Sequence, residues 1–396
     1  MIAENFAKMT RAPSVIRAMS EWAAVRGGEI GYENVFDYSL GNPSVPCPEK
    51  FTETAIRLLQ DTDPVALHGY SPSVSLPAAR KAVAESLNKR FGMQYTAAHI
   101  FMVSGAAGAL AHAFRCVAVP GQEMITFAPY FPEYKPYAEG AGLTLKVVPP
   151  RVEDFQIDFE KLEAMITADT AAVLINTPNN PSGAAYSAAT LTRLASVLTA
   201  ASAQYGHHVF LISDEPYREI LFGGRRMEYP AKFYPDTLTC YSFSKSLSLP
   251  GERIGYLAAN PACECAAQIV PICAQISRGI GHNCPSSLFQ LAVSECLDIT
   301  SDLSVYERNM ELLYDKLRAL GLTVQKPDGT FYIFAKAPEP DANAFAEKAK
   351  KYDIVLVPGD SFGCPGYFRL SYCIATEKVE RSLAAFEKLM KTEYPA

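Results

Sequence analysis

The stretch YSFSKSLSLPGERIGY, Tyr241 to Tyr256, sets Lys245 in a hydroxyl-rich turn eight residues ahead of Arg253. A solvated lysine needs no such setting. An amine that acts as a nucleophile must lose its proton, and a desolvated site with cationic neighbours brings that about. Ser242 and Arg253 flank the lysine with a hydroxyl and a planar guanidinium, groups suited to phosphate oxygens. Three more polar clusters end apolar runs: VSGAAGAL with Gly105, Ala106 and Ala107, INTPNNPSG with Asn180, and LISDEPY with Asp214 and Tyr217. Each has a plain structural reading on its own. Gly105 and Gly108 make a tight turn without the Rossmann or P-loop spacing. PNNPSG is turn chemistry, Asp214 and Tyr217 cap and pack, Lys245 is solvated, and Arg253 and Arg369 form surface ion pairs. In order, at the ends of successive strands, the clusters converge on one site.

The elements that must carry them are legible as short apolar runs: EMITF, LTLKVVP, AAVLINTP, HVFLISDEP, TLTCYSF and IGYLAA. Helical spacing separates several of them, as in SLPAARKAVAESLNKRFG and YSAATLTRLASVLTAASAQYG. The alternation predicts an α/β fold with a mostly parallel sheet buried on both faces. A long helical stretch is expected from Ser286 to about Leu320. Beyond it come LTVQKP, TFYIFAK, a helix near Ala342 to Lys351, IVLVPG, YFRLSYC and a closing helix, which read as a smaller α+β unit. The expected division is a large domain at 46–290 and a small one made of 1–45 and 291–396.

Composition narrows the function. Hydrophobic residues make up 49% and charged residues 20% of the 396, an ordinary globular balance. The 36 basic and 42 acidic residues leave a formal charge of -6, which argues against a nucleic-acid surface. The 11% aromatic content fits core packing. MIAENFAKMTRAPSVIRAMS contains no apolar segment of a secretory signal, and no apolar run is long enough to span a bilayer. Ten scattered cysteines, with only Cys263 and Cys265 closely spaced, suggest reduced thiols in the cytoplasm. The six histidines show no zinc spacing, so no metal site is expected, and no G-x-S-x-G elbow occurs.

From about Gly41 to Arg369 the pattern resembles the fold-type-I pyridoxal-phosphate enzymes, and within them the class I aminotransferases, aspartate aminotransferase among them. NTPNNPSG, SDEPY, SFSKSLSLPGERIGY and FRLSY carry the resemblance. It implies a large domain with a seven-stranded-type, mostly parallel sheet and a smaller α+β domain. It implies that Lys245 bonds covalently to pyridoxal 5′-phosphate and then shuttles a proton. Asp214 matches the carboxylate that faces the pyridine nitrogen, and Tyr217 and Asn180 match the pair on the phenolic oxygen. Ser242, Arg253 and the backbone of Gly105, Ala106 and Ala107 match the phosphate cradle. Phe131, in APYFPEY, matches the aromatic that stacks on the ring. Tyr70, in HGYSPS, matches a tyrosine that reaches the neighbouring subunit's phosphate, which implies a homodimer with composite active sites. Arg369 matches the clamp on the substrate α-carboxylate, and Gly41, in LGNP, the small residue lining that end.

Two positions depart from the family. Ser75 stands where relatives often carry glycine, and Ala107 where some bacterial aspartate aminotransferases have a lysine for the distal carboxylate. Arg278, in QISRGIGHNCP, lies 25 residues after Arg253 with Asn283 and Pro285 following. Its position resembles that of the arginine that grips the distal carboxylate across the dimer interface. The expected activity is transfer of an amino group from an L-amino acid, aspartate or another acidic donor, to a 2-oxo acid such as 2-oxoglutarate. The alternatives are a carbon–sulfur β-lyase on the same scaffold and a non-catalytic regulatory domain. The forty or so residues before Gly41 are too few for the DNA-binding module of such a regulator.

Overall fold

The computed structural model describes Ala7, Thr10 and residues 14–395. After a short β1 (Phe36–Asp37), the chain builds a large sheet from β2 (Ile100–Val103), β3 (Glu123–Phe127), β4 (Thr144–Val148), β5 (Thr170–Asn176), β6 (Phe210–Asp214), β7 (Thr237–Ser242) and β8 (Gly255–Ala259). The seven strands lie in the order β2-β8-β7-β6-β5-β3-β4. Only β8 runs against its neighbours, β2 and β7; the other pairings are parallel.

The central strands β5, β6 and β7 are buried along their whole length, which is why they read as near-continuous apolar runs. Alternate side chains serve opposite cores. Ile212 and Leu174 pack with the helices Gly105–Val117 and Ala266–Ile280. Leu211, Val173 and Ile175 pack on the other face with Leu191, Leu194 and Leu198 of the helix Ala188–Tyr205. Parallel register aligns the ends of β5 and β6, where Asn176 lies opposite Asp214, and the antiparallel pairing of β7 with β8 sets the end of one, Ser242, against the start of the other, Gly255.

The remaining strands, β9 (Tyr332–Lys336), β10 (Ile354–Val355), β11 (Val357–Pro358) and β12 (Tyr367–Ser371), form two small sheets. One pairs β1 with β10 in parallel, and the other has the order β11-β12-β9. Three expectations need correction. IVLVPG is not one strand, because the chain changes partner at Leu356, leaving β1 for β12. LTVQKP contributes one isolated bridge, Val324 to Ala335, rather than a strand. The long helix is two helices, Ser287–Ser294 and Ser304–Ala319. In the break, the Ser301 N–H donates to the Ser246 carbonyl at 2.8 Å, and the Asp302 carboxylate accepts from the Ser304 N–H at 3.1 Å. The interruption therefore fastens the chain to the residue after Lys245, and Asp302 takes up one free N–H where the new helix starts.

β8 is squeezed where it crosses the site. A Cβ on Gly255 would stand 2.2 Å from the Tyr241 carbonyl oxygen and 3.1 Å from the Gly105 backbone. Both obstacles are main chain, so neither can turn aside. Gly255→Ala is expected to lower the unfolding free energy by about 2–3 kcal/mol in urea denaturation. A loss below about 0.5 kcal/mol would mean that β7 and β8 are not this close.

Candidate active site

Asn176 and Asp214 end adjacent strands, and the asparagine ties the two ends together. Its Nδ2 donates to the Asp214 carbonyl at 2.8 Å, and its Oδ1 accepts from the Asn180 N–H at 2.7 Å. Sequence reasoning gave Asn176 no role, because an Asn at a strand end is ordinary turn chemistry. The Asp214 carboxylate is buried. Its Oδ2 accepts from the Tyr134 hydroxyl at 2.6 Å, while its Oδ1 finds no partner among the described residues. Burial pushes the carboxyl up to about 7, with the Tyr134 bond opposing and Glu215 assisting.

Lys245 stands in the short helix Phe243–Ser246 that follows β7, and Ser242 caps that helix by accepting from the Ser244 N–H at 3.2 Å. The Lys245 Nζ donates to the Gly41 carbonyl at 2.7 Å. Burial brings the amine down to about 8; Cys373 opposes that shift, and the cations Arg253 and Arg369 assist it. Gly41 is confined by Tyr332: a Cβ there would lie 2.0 Å from the Tyr332 hydroxyl oxygen. That hydroxyl in turn lies 3.0 Å from the Tyr217 hydroxyl. Tyr332, like Tyr134, was not expected at the site.

The helix Gly105–Val117 opens with no acidic residue in its first turn and no side-chain cap from Ser104. Its first N–H groups and dipole favour an anion. Gly105 takes φ +71, and a Cβ there would lie 3.1 Å from an Arg253 amino nitrogen. Arg253 itself takes φ +50 and donates to the Pro250 carbonyl at 3.1 Å.

Arg369, on β12, is 1% exposed. One amino group donates to Asn180 Oδ1 at 3.0 Å and the other to the Ser39 carbonyl, while Nε has no partner among the described residues. The guanidinium lies 4.6 Å from the Tyr332 ring centre and 5.0 Å from that of Phe362. Phe131 meets Tyr134 edge-on at 5.7 Å.

A cleft of about 390 Å³ joins these groups. Gly41, Ala106, Ala107, Phe131, Asn180, Asp214, Tyr217, Ser242, Lys245, Arg253 and Arg369 all line it, and Gly105 adjoins it at Arg253. Within the single chain, Tyr70 and Arg278 do not line the cleft. Tyr70 is fully exposed, and Arg278 is exposed in the last turn of the helix Ala266–Ile280. Ser75 keeps the conformation that glycine would favour, φ +80, and its hydroxyl donates to the Met102 carbonyl at 3.2 Å. Among the described residues no cluster of three or more His, Cys, Asp or Glu is placed to hold a metal.

Asp214 gives a test of this electrostatic picture. Its folded value lies above its ordinary 3.8, so the folded state loses stability as pH rises from 3.8 through about 7. Asp214→Asn removes that loss. In protein treated with hydroxylamine to release any carbonyl compound bound to a lysine and then dialysed, the variant is expected to melt above wild type, by a wider margin at pH 7.5 than at pH 5. A margin that does not grow with pH would show that the carboxylate is solvated.

A profile of the family "Aminotransferase class I and II" matches residues 33–386. The aspartate/prephenate aminotransferase of Thermus thermophilus is 30% identical over 366 residues, covering 89% of this chain and 90% of that protein. A crystal structure of an aminotransferase from Eubacterium rectale superposes with a TM-score of 0.96 at 43% identity, covering 100% of this chain and 99% of that one. The aspartate aminotransferase of Thermus thermophilus with maleate superposes at 0.87 and 27% identity, covering 98% and 99%. With its lysine, carboxylate and arginine gathered at the strand ends of this fold, the chain belongs to the class I and II aminotransferases.

Proposed function

We propose that the cleft holds pyridoxal 5′-phosphate and moves an amino group from an L-amino acid, aspartate or another acidic donor, to a 2-oxo acid such as 2-oxoglutarate, in two half-reactions. The observation that carries the cofactor is Asp214 Oδ1, a buried carboxylate oxygen without a partner among the described residues. Such an oxygen suits a cationic N–H donor, which a protonated pyridine nitrogen provides. The cradle of Ala106, Ala107, Ser242 and Arg253 on the same cleft suits a phosphate.

The bound cofactor supplies an aldehyde carbon to receive the amine and a protonated ring to take up the electron pair left when the substrate Cα–H bond breaks. The geometry supports the following roles for the protein's own residues. Lys245, lowered to about 8, presents an amine that is partly neutral near physiological pH, so it serves as nucleophile and as the base that takes the Cα proton on Nζ. Asp214 would accept an ionic hydrogen bond from the ring N–H through Oδ1. Tyr217 donates its hydroxyl to the phenolic oxygen. Asn180, whose Oδ1 is occupied by Arg369, has its Nδ2 left to donate to the same oxygen. Phe131 packs on the ring, and Gly105, Ala106, Ala107, Ser242 and Arg253 hold the phosphate. Arg369 grips the α-carboxylate beside Gly41, which orients the Cα–H bond.

The large unit in this reading is 46–290, with 1–45 and 291–396 forming the small one. Ten free cysteines support a cytoplasmic setting. The exposure of Tyr70 fits a homodimer in which Tyr70 completes the partner's phosphate site, and Arg278 would likewise reach the partner's cleft to meet a distal carboxylate.

Lys245→Ala is expected to lose the absorbance of lysine-bound cofactor and to lower transamination by about 10⁴ or more; turnover near wild type without added amine would refute the mechanism. The shared site has its own test. Lys245→Ala and Tyr70→Ala chains, each nearly inactive alone, are refolded together. If Tyr70 acts in trans, hybrid dimers carry one intact site, and activity returns to about a quarter of wild type. No recovery would place Tyr70 in its own chain's site or outside the site altogether.

A further inference from the structure

We infer that Arg17, on the helix Val15–Ile30, receives the side-chain carboxylate of a dicarboxylic substrate from within the same chain. This rests on the acidic-substrate reading above and names the group that would enforce it. Among the described residues, the charged side chains that line the cleft are Arg17, Glu133, Asp214, Lys245, Arg253 and Arg369. Asp214, Lys245 and Arg253 are committed to the cofactor, and Arg369 to the α-carboxylate. Among the described residues, Arg17 is the cation left over on the cleft wall. Ala107 offers no charge, and Arg278 does not line this chain's cleft.

The packing places Arg17 at the right end of the substrate. Val15, Ile16 and Met19, on the same turns of helix, pack against the cluster of Val357 and Phe362. Phe362 is the ring that lies 5.0 Å from the Arg369 guanidinium. The start of the helix is thus fastened beside the α-carboxylate clamp. Tyr137 and Glu133 line the same cleft as Arg17, Arg253 and Asp214. Arg17 therefore lines the cleft on a helix whose start packs with the ring beside the α-carboxylate clamp. A substrate held by Arg369 and turned toward Lys245 has its side chain left to meet another part of the cleft wall, and Arg17 offers a cation there. The planar fork of Arg17 suits a carboxylate.

Glu133 lines the same cleft and bears the opposite charge. It repels a dicarboxylate and competes with it for Arg17. Removing Glu133 should therefore strengthen the acidic preference, whereas removing Arg17 should erase it.

The experiment compares catalytic efficiency for aspartate and for alanine in holoenzyme, and measures calorimetric binding of maleate as an unreactive dicarboxylate. In Arg17→Gln the aspartate-to-alanine ratio should fall about tenfold to a hundredfold, and maleate should bind at least about tenfold more weakly. Arg17→Lys should recover part of both, and Glu133→Gln should tighten maleate. An aspartate preference that survives Arg17→Gln within about threefold but collapses in Arg278→Ala overturns the role of Arg17 and leaves the acidic-substrate reading standing. A wild type with no preference for aspartate over alanine overturns both.

Discussion

A carboxylate with one satisfied and one bare oxygen, held away from water at the end of a central strand, sets the terms for the rest of this protein. Asp214 sits on β6, with β5 and β7 on either side and helices over both faces. Only a sheet covered on both sides keeps such a group dry. Dryness acts on the two key groups in opposite senses. It raises the carboxyl of Asp214 to about 7 and lowers the amine of Lys245 to about 8. Both then lie close to neutrality, where an amine can attack and a carboxyl can still ionise when a cation arrives. A wetter cleft would leave Lys245 protonated and inert.

The same compression shows in the backbone. Arg253 and Ser75 take the left-handed conformation that glycine favours, at φ +50 and +80, each at a cost of about 1–2 kcal/mol. Each is held by a specific bond, Arg253 to the Pro250 carbonyl and Ser75 to the Met102 carbonyl. Gly41 and Gly255 answer the opposite need, since any side chain would strike Tyr332 in one case and main chain in the other. Arg253, Gly41 and Gly255 bring strain and close approach to the anion cup and the Lys245 turn, where position matters most.

Much of this was legible in the sequence because parallel core strands write themselves as apolar runs with polar punctuation at the site end. Lys245, Asp214, Asn180 and Arg253 stand at such marks. Tyr332 and Tyr134 do not. Tyr332 lies inside TFYIFAK, where every second residue faces a core, and a core tyrosine and a site tyrosine are the same letter there. Asn176 hid in a turn signal that Pro178 and Asn179 already explained. The split of IVLVPG depends on which strands come alongside, and pairing over three hundred residues of separation leaves no local trace. Tyr70 and Arg278 do not line the cleft of their own chain, and a sequence carries no mark of whether a residue serves its own chain's cleft.

The source of the distal cation has consequences for selectivity. A cation locked in a buried interface would be left unpaired by a neutral side chain, and the site would reject that substrate strongly. Arg17 is exposed on a helix whose start is fastened by Val15, Ile16 and Met19. Faced with a neutral side chain it can swing into water, or toward Glu133, at little cost. Attraction for a second carboxylate then comes without a matching penalty for its absence. The expected result is graded selectivity, acidic donors favoured and neutral ones still accepted. An enzyme that alternates between different amino and 2-oxo acids in one cleft needs that tolerance, because its two half-reactions must both fit the same walls.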